Sequence, residues 1–137
     1  MGIPVKQNVF LYSGYTPRST VLGERVKKAC EDCESVVLFE DVSHILEKRV
    51  QNAESIVVLD LPNIKQSAIK TVSSVRERSD DIKILAIHIY TTKLLVEPLI
   101  QAGIHGYLMY EPTVSEIRDA LQTISEGELY LPTQIHR

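Results

Sequence analysis

Asp60 closes the apolar run Ile56-Val57-Val58-Leu59, and His88 closes a second run, Ile84-Leu85-Ala86-Ile87. A carboxylate at the end of a buried strand offers an anion or a nucleophile, and an imidazole there offers a group that titrates near neutrality. Ser13 and Gly14 follow a third run, Val9-Phe10-Leu11-Tyr12. Glu40 and Asp41 follow Val36-Val37-Leu38-Phe39, and Tyr110 with Glu111 follows Tyr107-Leu108-Met109. Two further patterns invite chemistry. The stretch Ser13 to Thr20 is rich in hydroxyls and precedes a helix start that could cradle the phosphate of a small cofactor, although Pro17 removes one N–H donor. Cys30-Glu31-Asp32-Cys33 matches C-x-x-C, but Glu31, Asp32 and Glu34 raise a thiol's pKa, and zinc needs two more ligands that no Cys/His pair supplies. The cysteine spacing is read as coincidence.

The elements that position these residues alternate regularly. Each apolar run is followed by a stretch with helical periodicity. Thr16 then Pro17 reads as an N-cap with proline at the first helical position, followed by Val21, Leu22, Val26, Ala29 and Cys30 on the inner face. A second helix starts near Asp41 or Ser43 and turns Ile45, Leu46 and Val50 inward. Ile64, Ala68, Val72 and Val75 mark a third, up to about Arg78. Thr91 or Thr92 caps a fourth, with Leu94, Leu95, Leu99 and Ile100 on one face and Gly103 as its stop. Thr113 and Glu116 form a capping box for the fifth, which buries Ile117, Ala120, Leu121 and Ile124 and ends at Gly127. The runs are almost continuously apolar, as parallel strands covered on both faces are. The expected fold is therefore α/β: a flavodoxin-like, doubly wound (βα)5 domain with a five-stranded parallel sheet of order 2-1-3-4-5. In such sheets chemistry collects at the carboxyl ends of the strands.

The chain of 137 residues, 44% hydrophobic and 24% charged, suits one globular domain and excludes intrinsic disorder. Its net charge of −3, with basic residues scattered as Lys27-Lys28, Lys48-Arg49 and Arg76/Arg78, argues against direct nucleic-acid binding or an anionic membrane as partner. No apolar run reaches the roughly 18 residues of a membrane span, and no signal-peptide pattern opens the chain. With two cysteines, the expected location is the cytoplasm.

Three stretches resemble a known family. Gln101-Ala102-Gly103-Ile104-His105-Gly106-Tyr107-Leu108-Met109-Tyr110-Glu111, then Ser115-Glu116-Ile117 and Glu126-Gly127-Glu128-Leu129-Tyr130-Leu131, resemble the end of a bacterial response-regulator receiver domain. They are most like the subfamily that carries a LuxR/NarL-type DNA-binding domain downstream. Ile56 to Pro62 resembles that family's phosphoacceptor strand. The resemblance implies that Asp60 stands at the phosphoacceptor position and Tyr107 at the switch-aromatic position. It equally implies that the other pocket positions have changed: Ser13 and Gly14 replace the acidic pair that holds Mg²⁺, His88 replaces Ser/Thr, and Tyr110 replaces lysine. The implied reading is a non-enzymatic, degenerate receiver without cofactor or metal, acting by dimerisation or by binding a protein partner, in the control of transcription.

Several points stay open at this level. Asp60 is either a phosphoacceptor, an ordinary strand-end aspartate, or the partner of His88 in a pH-sensitive hydrogen bond; His88 alternatively just fills the pocket. Tyr107 is a switch or a half-buried strand residue. A phosphorylated receiver and a flavodoxin-like cofactor binder are the competing functions. The outward face of the fifth helix, Arg118, Asp119, Gln122 and Glu126, is the candidate homodimer interface, with a merely solvated helix face as the alternative. A LuxR-type helix-turn-helix needs about 60–70 further residues, so the chain is either the regulatory part of a longer regulator or a receiver on its own.

Overall fold

A computed structural model describes residues 7–13, 17–30, 35–39, 54–64, 66–78 and 80–135. Five strands, β1 (Gln7–Ser13), β2 (Ser35–Phe39), β3 (Glu54–Asp60), β4 (Lys83–His88) and β5 (Gly106–Met109), form one sheet in the order β2-β1-β3-β4-β5. Every pairing is parallel. Four α-helices are described: α1 (Pro17–Ala29), α2 (Ala68–Arg78), α3 (Lys93–Ala102) and α4 (Val114–Ser125), the last being the fifth helix expected from the sequence. The second expected helix, with Glu40, Asp41, Ile45, Leu46 and Val50, lies outside the described residues, as do Gly14, Thr16, Cys33, Lys48 and Arg49.

Strand alternation sorts the core into two layers. Phe10, Val57, Leu59, Ile84, Ala86 and Tyr107 face α2 and α3, where Val72, Val75, Val96 and Leu99 meet them. Val9, Leu11, Ile56, Val58, Leu85, Ile87 and Leu108 face α1 and α4, against Leu22, Val26, Ile117, Ala120 and Ile124. Both faces of the sheet are thus dry, as the unbroken apolar runs require.

The helix ends follow their local chemistry. α1 begins at Pro17. Glu116 N–H donates to Thr113 Oγ1 at 3.1 Å and Thr113 N–H to Glu116 Oε1 at 3.0 Å, closing the capping box of α4. Gly103 ends α3 at φ +119°, a left-handed conformation that glycine adopts without a Cβ clash.

Some expected inward residues face solvent. Leu94 is 83% exposed and Leu95 49%, because Val96 and Leu99, three apart, define the buried stripe of α3. At 100° per residue Leu94 lies almost opposite Val96. Val21 is likewise exposed at 47%, beside buried Leu22 and Val26. Ile64 precedes α2 rather than belonging to it, and still packs against the core. Arg76 is no freely solvated cation: it is half-buried, and its guanidinium donates to the Ile82 carbonyl at 3.2 Å.

Gly106 starts β5 where α4 passes so closely that a Cβ would sit 2.7 Å from Ile124 Cδ1 and 3.1 Å from Leu85 Cδ1. Gly106→Ala is expected to destabilise the domain by about 1–3 kcal/mol, the usual cost of overpacking a filled core. Urea denaturation followed by circular dichroism measures it, and an unchanged midpoint would contradict this close approach.

Candidate functional site

Parallel register brings the first pair of candidate residues together. Ser13 is the cross-strand partner of Asp60 at the carboxyl edge of β1 and β3. Counting by twos from Leu11 and Val58 turns both side chains toward the α1/α4 side. Ser13 Oγ donates to Asp60 Oδ2 at 2.5 Å, with Ser13 2% and Asp60 0% exposed. A charge-assisted hydrogen bond of this kind compensates part of the cost of holding a carboxylate away from water.

Tyr110 shares that side of the sheet. Its ring packs against the α1/α4 core layer, and its N–H donates to the His88 carbonyl at 2.9 Å. His88 falls on the other side. The alternation that turns Ile84 and Ala86 toward α2 and α3 takes His88 with them, and its ring lies 4.2 Å from that of Tyr90, tilted by 50°. Nδ1 of His88 is buried and has no hydrogen-bond partner among the described residues. The anticipated Asp60–His88 hydrogen bond is therefore not made at that nitrogen. A one-residue offset across a sheet puts neighbours on opposite faces. Asp60 still acts on His88 through its charge: burial pushes the imidazole below its ordinary pKa, and the carboxylate partly restores it.

Tyr107, on β5, is fully buried on the α2/α3 side of the sheet, and its hydroxyl donates to the Tyr90 carbonyl at 2.7 Å. Burial raises the phenol's pKa well above its usual value. The expectation of a half-buried strand residue does not hold: Tyr107 is 0% exposed, in the same core cluster as Val96, Leu99 and Ile135.

One contributor carries no sequence signal. Arg25, in the middle of α1, reaches the loop after β5, where Nη1 lies 2.9 Å from Glu111 Oε1 and donates to the Pro112 carbonyl at 2.9 Å. It pins the loop beside Tyr110 to α1. Only the packing of α1 beside α4 brings partners 86 residues apart into contact.

On α4, Arg118, Asp119, Gln122 and Glu126 are all exposed. Arg118 Nη2 donates at 3.4 Å to the Lys28 carbonyl in the last turn of α1, and Gln122 Nε2 to Glu126 Oε1 at 3.4 Å. Cys30 is buried at the end of α1. Among the described residues no three His, Cys, Asp or Glu side chains converge as a metal site, and no helix is long and apolar enough to cross a membrane.

No protein-family model matches the chain. The nitrate/nitrite response regulator protein homolog of Haemophilus influenzae is 27% identical over 86 residues, which are 63% of this chain and 41% of that relative. The match thus spans about two fifths of the relative's length. The isolated REC domain of RcsB from Salmonella enterica serovar Typhimurium, in the presence of phosphomimetic BeF3⁻, superposes with a TM-score of 0.72 at 14% identity over 97% of both chains. A structure of two RcsB dimers bound to two parallel DNAs gives 0.75 at 14% identity, covering 97% of this chain and 66% of that one.

Two outcomes follow from the geometry. Ser13→Ala removes a buried donor to a buried carboxylate and is expected to cost about 1–3 kcal/mol in urea unfolding; no loss would mean that Asp60 draws its hydrogen bonds elsewhere. His88 has a folded-state pKa below its unfolded value near 6.5, so its contribution to stability is complete above that pH and is lost as pH falls below it. His88→Phe should flatten the pH dependence of unfolding between about pH 7 and 5 by a fraction of one proton, and an unaltered slope would contradict the assignment.

Proposed function

With response regulators as its relatives and receiver domains as its fold neighbours, the chain is consistent with a LuxR/NarL-type receiver domain, and we propose that it is a degenerate one. It is a signalling and dimerisation module that works without phosphoryl transfer, in the cytoplasm, as part of a transcription regulator. The observation that carries this reading is the company of Asp60. Its carboxylate is sealed from solvent against a serine hydroxyl, where the family places an acidic residue, and the strand end at Tyr110 offers a phenol in place of an ammonium.

Those donors do not fit Mg²⁺. The ion takes six oxygens in near-octahedral array and needs carboxylates to offset the cost of dehydration; the one carboxylate and one hydroxyl brought together among the described residues are a poor set. Transfer of a phosphoryl group to Asp60 would also lack an ammonium at residue 110, and losing one such electrostatic contributor costs about 3 kcal/mol or more of transition-state stabilisation. With no phosphoryl group to select a state, the buried position of Tyr107 is set by packing and by its bond to Tyr90.

Self-association supplies the output. The α4 face presents Asp119 and Glu126, and the neighbouring end of α1 presents Lys27 and Lys28, all exposed. A two-fold contact sets each group opposite a complementary one. The RcsB dimers on DNA show that a protein of this fold pairs, and a DNA-binding domain beyond the receiver is the proposed partner here.

Sedimentation at tens of micromolar should give the dimer mass with neither Mg²⁺ nor a phosphodonor. Arg118→Glu should weaken the dimer about tenfold, the loss of about 1.4 kcal/mol. Asp60→Asn should leave it unchanged, and beryllofluoride with Mg²⁺ should cause no saturable shift at Asp60 in NMR spectra. Labelling of Asp60 by a small phosphodonor would instead establish the phosphorylated receiver, and a strict monomer would leave partner binding as the output.

A further inference from the structure

His105 lies at the opposite edge of the sheet from Asp60, one residue before β5, and it makes three hydrogen bonds in two directions. Its backbone N–H donates to the Ile84 carbonyl at 2.8 Å, and its Nδ1 accepts the Ile84 N–H at 3.0 Å. The imidazole thereby stands in for a strand residue and satisfies a donor on a fully buried residue of β4. On its other side, the His105 carbonyl accepts the Tyr130 N–H at 3.1 Å, and the Tyr130 carbonyl accepts the Tyr107 N–H at 2.9 Å. Through this bridge the segment after α4 lies parallel along the outer edge of β5. Leu131 then packs on the α2/α3 core layer, and Ile135, fully buried, enters the cluster that holds Tyr107.

An accepting Nδ1 bears no proton, so the ring must be the neutral Nε2–H tautomer. Protonation would set two donors, Nδ1–H and Ile84 N–H, against each other at 3.0 Å inside the fold. The cations near the ring oppose it as well, while the Glu54 carboxylate favours it. Arg76 from α2 and Lys83 from β4 are cations. Glu54 from β3 is already engaged, by Lys83 Nζ at 2.9 Å and by Ser125 Oγ, which donates at 3.0 Å. Glu128, on the segment itself, lines the same small cavity as Lys83 and His105.

We propose that His105 is a proton-operated latch: neutral, it holds residues 128–135 along β5, and protonated, it breaks with Ile84 and releases them, uncovering the strand edge and the slot filled by Ile135. This rests on the hydrogen-bond geometry alone and is independent of what happens at Asp60. Burial and the two cations keep the imidazole below its ordinary pKa, so release belongs to the acid side of neutrality. Linkage to one proton permits at most a tenfold change in opening per pH unit.

Amide hydrogen exchange tests it. Between pH 7.5 and 5.0, corrected for intrinsic exchange, opening at Tyr130 and Tyr107 should rise about tenfold or more, while Val58 and Leu59 in β3 keep their protection. His105→Asn, whose side-chain oxygen accepts but does not titrate, should abolish the rise. In the unaltered protein, the ¹⁵N shifts of His105 should report the Nε2–H tautomer at pH 7.5 and a protonation midpoint that coincides with opening. The latch is refuted by equal Tyr130 protection at both pH values, by the same loss in His105→Asn, by β3 losing protection in step, or by an Nδ1–H tautomer.

Discussion

Burial of both faces of a parallel sheet is the constraint on which the rest of this structure depends. Strands that touch helices on either side cannot place polar side chains along their length, so ionisable groups are confined to the two edges where strands begin and end. Asp60 and Ser13 occupy the carboxyl edge, and Glu54, Lys83 and His105 the amino edge. The apolar middle separates the two sets and keeps each in a low-dielectric surrounding, where a hydrogen bond counts for more and an unpaired charge costs more.

The two edges solve the same problem differently. At the carboxyl edge a short hydroxyl–carboxylate bond holds the anion, with no cation from Tyr110 to draw in a phosphoryl group. At the amino edge Lys83 meets Glu54 and donates to the Ile124 carbonyl in the last turn of α4, so its charge is compensated within the fold and also ties strand to helix. The His105 imidazole completes the ladder between β4 and β5 as a neutral acceptor. At one edge a buried hydroxyl holds a carboxylate, and at the other a neutral ring completes a backbone ladder.

Long-range ties give the α1/α4 side its unity. Arg25 clamps the loop after β5, and Arg118 reaches the end of α1. On the far side Tyr107, Tyr90 and His88 form a linked aromatic group whose bonds go to backbone carbonyls or to each other. His88 belongs to this aromatic group because register turns it to the face opposite Asp60.

Periodicity, capping chemistry and turn residues are local properties, and they are what the amino-acid order determined by itself. The parallel α/β class, the ends of α3 and α4 at Gly103 and the Thr113–Glu116 box, the burial of Val72, Val75, Ile117 and Ile124, and the position of Asp60 at a strand end were all legible there. A helical wheel does not say how far a stripe reaches, so Leu94, Leu95 and Val21 were assigned inward although neighbouring residues take the contact with the sheet. Cross-strand register decided the site. It joins Ser13 to Asp60 and turns His88 to the opposite face, a distinction of one residue that no single strand's sequence contains. The roles of Arg25 and His105 were likewise invisible, because each depends on atoms that chain order separates by about twenty to ninety residues and only the packed sheet brings within 3 Å.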